Sequence, residues 1–317
     1  MKYIKLLMIV VVALLMGACS KESLDSTSIF STASPERNEF DTWLMNNYTT
    51  PYNIAFNYLY NDNESNQYYN VIPAQKDKAI ALAIMVKHIW LGSYEEVAGT
   101  DFVKTYAPRV IQLIGSGAYD ENSMIMGTAE GGLKVMLYNV NVIDIDNPYI
   151  DSESPYQDKA KPNKDLNYYF FHTMHHEFGH ILCQKKNYPT DFNLVSVADY
   201  KATDWINLND SDAPKFGFVS GYASEEANED FVEIYSIYVT HTANAWAKIL
   251  HDGTVWTTDS KGNEVAKDTK GTDAILAKLK IVRDYLKASW NIDLDQMRDV
   301  VLRRSGEVKT LDLRTLK

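Results

Sequence analysis

Cysteine and histidine are scarce in this chain, at two and seven copies among 317 residues. Two cysteines, Cys19 and Cys183, allow at most one intrachain bridge, which excludes a fold stapled by disulfides. No block of Lys or Arg occurs and the net charge is −11, which argues against a nucleic-acid partner or charge-driven binding to anionic lipid. The longest apolar run, Leu6 to Met16, falls short of the ~20 residues a comfortable membrane span needs. No internal repeat and no low-complexity tract is present, so a solenoid or a disordered chain is not indicated. The apolar fraction of 45% and the length suit one large domain, or two small ones, with a sizeable core. Tyrosine alone is in excess, at 21 copies, as amphipathic rings at a binding surface or as core.

The first residues read as an export leader. Lys2 and Lys5 precede the Leu6–Met16 run, and small Gly17 and Ala18 stand before Cys19. That order resembles a bacterial lipobox, with Met16 where Leu is usual, and implies removal of residues 1–18 and lipidation of Cys19. Losing Lys2 and Lys5 would take the net charge from −11 to −13. Residues 19–36 are polar and poor in bulky side chains, as expected of a flexible tether. With Cys19 acylated, Cys183 has no intrachain partner, so stability must come from the core or from a metal. Ser20, Lys21 and Glu22 after the cysteine resemble the outer-membrane and surface lipoproteins of Bacteroidota.

Residues 37–317 read as a single domain. A short helix is predicted from Pro35. A half-buried strand follows, with Ile54, Phe56, Tyr58 and Tyr60 on one face. Residues 76–94 carry apolar positions at helical spacing, 109–115 suggest a second strand, and "GGLKVMLYNVNVIDID" suggests a long one. Residues 145–164 and 253–271 are polar excursions, and the last 45 residues return to helix twice. Strands early and helices late predict an α+β fold rather than a doubly wound parallel sheet.

Four of the seven histidines fall within nine positions, in "FHTMHHEFGHILC", residues 171–183. The segment from Leu166 is apolar nearly all round, so its helix is buried. His176 and His180, four apart, project from one face with Cβ atoms about 5–6 Å apart, close enough for both imidazoles to hold one Zn²⁺. Glu177 is rotated by about 100° from His176, within reach of an activated water without being a ligand. That is the H-E-x-x-H arrangement, with Glu177 as general base. His172, one turn earlier, is expected to hydrogen-bond near the site, and His175 to point away from it.

A third ligand is needed. The extended motif with a third histidine fails, because Cys183 and Lys186 stand where Gly and His are required. The segment "GYASEEANEDFVEIYSIYVTH" reads as a largely apolar helix capped by Ser224, with Glu229 and Glu233 four apart on one face. Carboxylates on a buried helix need a cation or strong donors. Glu229 is therefore assigned to zinc, and Glu233 to the outer ring N–H of a ligand histidine. Asp230, Glu226 and His241 are the competing ligands. Tyr222 is placed to donate its hydroxyl to a developing oxyanion, or is simply one more tyrosine of a Tyr-rich chain.

Together, "HEFGH" and the later Tyr222, Glu229 and Glu233 resemble the gluzincin-type zincins, nearest in local pattern to the lethal-factor-like peptidases. The resemblance implies a zincin-like domain with a mixed sheet, His176, His180 and Glu229 as ligands, Glu177 as base and Tyr222 as transition-state donor. Over most of the chain the sequence is similar to the Bacteroidota substrate import-associated zinc metallohydrolase lipoproteins, through the lipobox, Pro51–Ile54, Ala129–Gly132 and His175–His180. This implies a zinc hydrolase anchored at the outer membrane, facing the periplasm or the exterior. Its implied associates are a TonB-dependent importer and that importer's substrate-binding lipoprotein. By the same analogy the strand opened by Gly131 and Gly132 would be an edge on which an extended peptide substrate pairs, although an interior strand would read alike. The expected activity is peptide hydrolysis. The alternatives are a zinc-holding binding lipoprotein without turnover, or a hydrolase of non-peptide amides.

Overall fold

The computed structural model describes residues 36–61, 68–119, 124–125, 127–130, 133–156 and 164–317. The chain divides into two units, Met1–Asn38 and Glu39–Lys317. Of the first, only residues 36–38 are described, so the expected leader, Cys19, nearly all of the tether and Pro35 lie outside the described residues.

The second unit opens with α1, Glu39–Leu44, whose first-turn Glu39 and Asp41 suit the positive end of a helix. It runs on through a π-helical turn, Met45–Thr49, and Thr50–Tyr52, and stops where Asn53 turns left-handed at φ 58. Strand β1, Ala55–Asn57, follows, with Ile54, Phe56 and Tyr58 buried as the alternation required. Helix α2, Lys76–Val86, continues through a π-helical stretch, Lys87–Leu91, into Gly92–Ala98, and α3 spans Thr100–Tyr106. Then come β2 (Val110–Leu113), β3 (Ala118–Tyr119), β4 (Met124–Ile125), β5 (Gly127–Glu130) and β6 (Lys134–Leu137).

The main sheet has the order β1-β2-β6-β5, with β1, β2 and β6 parallel and β5 antiparallel. Phe56, Ile111 and Val135 are in register across the three parallel strands and buried toward the helices. The mixed sheet and helical remainder agree with the α+β expectation. Two details differ. The long strand expected after residue 131 is only four residues long, because Asn139 turns left-handed at φ 64 and sends the chain into a 3₁₀ turn, Val140–Val142. It is also interior, paired on both sides, so the edge assigned to it belongs to β5.

The helical part contains α4 (His172–Lys185), entered through a π-helical turn, Asn167–Phe171, then α5 (Asp191–Val195) and α6 (Ala227–Thr240). Next are α7 (Ala243–Asp252), the hairpin β7 (Val255–Thr258) and β8 (Glu264–Asp268), α8 (Lys270–Trp290) and α9 (Leu294–Glu307). Ser224 is not the cap of α6. It is buried and donates its hydroxyl to Gly221 O at 2.6 Å, and the helix starts after the extended Glu226. No helix among the described residues is long and apolar enough to cross a membrane.

Helix α4 is held from two sides. Phe178 meets Trp90, Tyr94 and Phe102 edge-on, with ring centroids 5.2, 4.7 and 6.0 Å away. On the α6 side Gly179 has no room for a side chain, since a Cβ there would lie 2.9 Å from Val232 Cγ1. The side chains of Val232 and Tyr235 therefore pack directly on the α4 backbone at Gly179. Gly179→Val should force the two helices apart, costing about 1–3 kcal/mol as overpacking does. A melting temperature equal to the wild type's would show that the crossing is loose.

Candidate metal centre

The crossing of α4 and α6 gathers the titratable groups that the sequence singled out. His176 and His180 lie one turn apart with their rings edge-to-face, and their Nε2 atoms are separated by 3.2 Å. Glu229 Oε2, from α6, lies 3.1 Å from His176 Nε2 and 3.3 Å from His180 Nε2. Three donors bound tetrahedrally to one zinc at about 2.0–2.1 Å would stand roughly 3.3 Å apart, so the donor set fits the ion. Glu177 is buried beside them, 7% exposed, and is not part of the donor triangle.

Around this triangle runs a second set of contacts. Glu233 Oε1 accepts from His176 Nδ1 at 2.8 Å. His172 Nε2 lies 2.8 Å from the same oxygen, at ion-pair distance but not aligned for a hydrogen bond. Glu233 Oε2 accepts from Ser220 Oγ at 2.6 Å. His172, His176 and Glu233 also form a cluster with metal-ligand chemistry. Both contacts to Glu233, at 2.8 Å, are tighter than the spacing of donors around one ion, and the one from His176 is a hydrogen bond, so this cluster orients His176. Ser220 escaped the sequence reading. Its hydroxyl also accepts from Ala223 N at 3.0 Å, which fixes the turn that carries Tyr222.

The competing ligands are engaged elsewhere. Asp230 is wholly buried against Lys278 Nζ at 2.5 Å and the Tyr200 hydroxyl at 2.9 Å. Glu226 is exposed and accepts from Asn228, and His241 Nδ1 faces Ile237 O at 3.1 Å. His175 turns away from the donor triangle, its Nδ1 2.9 Å from the Tyr94 hydroxyl. Burial first, and then His172, push its pKa down to about 3, so it stays neutral.

The electrostatics of the triangle are those of a cation site. Burial opposes charge on His176, but Glu229 and Glu233 outweigh it and raise the pKa to about 10. Burial likewise opposes charge on Glu229, yet His176 and His180 hold its carboxyl far below the usual range. Glu233 is depressed in the same way, with His172 foremost among the causes that outweigh burial. Tyr222 leans on the His176 ring, centroids 5.7 Å apart. Burial, then the Glu229 carboxylate, push its pKa far above the ordinary phenol value, so it remains a donor.

Comparison with known proteins places this geometry. Residues 33–295 match the family model described as "Putative zinc-binding metallo-peptidase". The chain belongs to that family. A crystal structure from Bacteroides caccae, of a protein with the same description, matches at 38% identity with a TM-score of 0.70. The match covers 92% of this chain and all of that one. No curated protein matches. Zinc is thus the cofactor of this metallo-peptidase, and the donor triangle is the described cluster whose spacing suits it.

If Glu233 holds the His176 ring in place, Glu233→Ala should weaken zinc binding by about 10- to 100-fold, with Ser220→Ala weakening it less. Competition against a chromogenic chelator measures both. Unchanged affinity in Glu233→Ala would mean that the contacts around Glu233 serve packing alone.

Proposed function

We propose that the chain cleaves peptide bonds at the His176–His180–Glu229 site, as a lipoprotein anchored through Cys19. One observation carries the catalytic reading: among the described residues three donors converge within 3.3 Å of one another, and a buried carboxylate at Glu177 stands off the triangle. A structural zinc site closes with four protein ligands, whereas a catalytic one keeps a position open.

When bound, zinc supplies Lewis acidity toward water and carbonyl oxygen. Glu177 takes the proton from the attacking water and returns it to the departing amine. Tyr222, protonated throughout, donates to the oxygen on which negative charge develops. Glu233, with His172 and Ser220 behind it, keeps the His176 ring turned toward the site. Strand β5 packs against α4 and pairs only with β6 among the described residues, so its outer edge suits an extended peptide added as a further strand. The lipobox-like leader and the resemblance to import-associated lipoproteins support a place at the outer membrane, beside a TonB-dependent importer and its substrate-binding lipoprotein.

The protein should take up one zinc per chain after chelator-free purification. Glu177→Gln should keep that zinc and the melting temperature while losing about 10² to 10⁴ in peptide-library hydrolysis. Glu229→Ala should lose zinc and activity together. If Glu177→Gln cleaves as fast as the wild type, the hydrolysis arises elsewhere. Zinc below about a tenth of an equivalent after zinc addition would defeat the metalloenzyme reading itself.

For the anchor, Cys19→Ala should move the protein from the membrane fraction to the soluble one. Membrane partition equal to the wild type's, with no acyl group at residue 19, would remove the lipoprotein assignment.

A further inference from the structure

Trp205 sits on a 3₁₀ turn, Ala202–Asn207, that begins with Ala202 in the left-handed region at φ 47. This turn is fastened to the one bearing Tyr222. Lys201 N donates to Ser224 O at 2.7 Å and Gly221 N to Asp210 Oδ1 at 2.9 Å. Gly221 approaches Leu208 so closely that a Cβ would lie 2.2 Å from the Leu208 carbonyl oxygen. Trp205 is therefore fixed relative to Tyr222, its indole edge-on to the phenol ring at 4.9 Å, and the phenol in turn leans on His176.

Packing does not account for this tryptophan. Trp205 and Ile206 take no part in the hydrophobic core, Trp205 is half-buried, and Ile206 is 44% exposed. The Trp205 indole N–H makes no side-chain hydrogen bond among the described residues. Two of the nearby acidic groups are occupied, Asp210 by the Gly221 amide and Asp212 by Lys215 at 2.9 Å. The surface beside the donor triangle is thus an aromatic wall of indole and phenol, with the indole N–H its one polar group without a side-chain partner among the described residues. An apolar group laid against the ring faces would cover indole and phenol that are only partly buried, which favours burial of apolar surface.

We propose that Trp205, backed by Tyr222 and flanked by Ile206, walls a subsite that takes a bulky apolar side chain, aromatic or large aliphatic, adjoining the scissile bond. This rests on the peptidase reading, and it makes Trp205 the specificity-determining residue of that site.

Two measurements test it on the zinc-loaded protein. The first is calorimetric binding of two hydroxamates, acetohydroxamate and 3-phenylpropanohydroxamate, which share the metal-binding group and differ in the apolar arm. The wild type should prefer the phenyl compound by about tenfold or more. Trp205→Ala should reduce that preference to about threefold or less, and Trp205→Phe should keep most of it, with zinc content and melting temperature unchanged in both. The second is a peptide library, in which cleavages should be enriched in large apolar residues on one side of the cut bond. Trp205→Ala should flatten that enrichment mainly through KM. Equal binding of the two hydroxamates by the wild type, or equal loss of both in Trp205→Ala, would overturn the subsite. So would a library preference for Lys or Arg, which would assign the indole to cation–π recognition. If no peptide is cleaved yet the hydroxamate preference exists and depends on Trp205, the subsite stands and the peptidase reading falls.

Discussion

The arrangement depends on a carboxylate that has no business in an apolar interior unless it is fully met. Glu233 is 2% exposed in the middle of α6. Burying an unpaired carboxylate would be prohibitive. Here His176 and Ser220 donate to it, and His172 Nε2 lies 2.8 Å away. Those partners come from α4 and from the turn before α6, so satisfying one buried charge fixes three segments at once. The spacing repeats down the crossing. His172, His176 and His180 descend α4 four residues apart, and Glu233 and Glu229 descend α6 likewise. His176 is the shared rung, its Nδ1 on Glu233 and its Nε2 toward Glu229. A ring held at both nitrogens cannot rotate, and the donor triangle inherits that rigidity.

Two adjacent acids on α6 show how helix geometry separates roles. Glu229 faces the histidines, while Asp230, turned about 100° further, meets Lys278 of α8. Neither member of this second pair is exposed. Burial pushes Asp230 up to about 6 and Lys278 down, against their mutual attraction. Lys278 is further held by Gly217 O at 2.9 Å and by the face of Phe218 at 4.1 Å. Removing one partner of such a pair typically costs about 3–5 kcal/mol, because the other is left charged in the dark. The pair clamps α6 to α8 on a face about 100° round from the metal side. That is why a helix carrying so many acids can stay buried.

What could be read from the sequence was whatever repeats at helical spacing. His176 and His180, and Glu229 and Glu233, announce themselves because four residues make one turn and the surrounding positions are apolar. The α+β class followed from strands early and helices late. What could not be read lies in the irregular backbone from about 187 to 224, where no period operates. Ser220 reaches Glu233 across thirteen positions, and Trp205 reaches Tyr222 across seventeen, through turns that no pattern encodes. Ser224 has the right chemistry for a cap, but the Gly221 carbonyl competes successfully for its hydroxyl. The strand after Gly132 looked long because apolar residues recur through Ile145, yet the left-handed Asn139 ends it.

The five residues of "HEFGH" divide the labour without redundancy, and this explains why the site needs no cross-link. Cys183, the one cysteine among the described residues, is a free thiol that burial pushes up to about 12, out of reach of ready oxidation. Phe178 anchors the helix in the aromatic cluster of Trp90, Tyr94 and Phe102, and Gly179 lets α6 come close enough to bring Glu229 to the histidines. His176 and His180 then present their nitrogens on the remaining face. Glu177, buried on the same helix, stands outside the donor triangle. Order at the site thus comes from packing and buried hydrogen bonds, which set the donors at a spacing that suits a metal, with a base one residue aside.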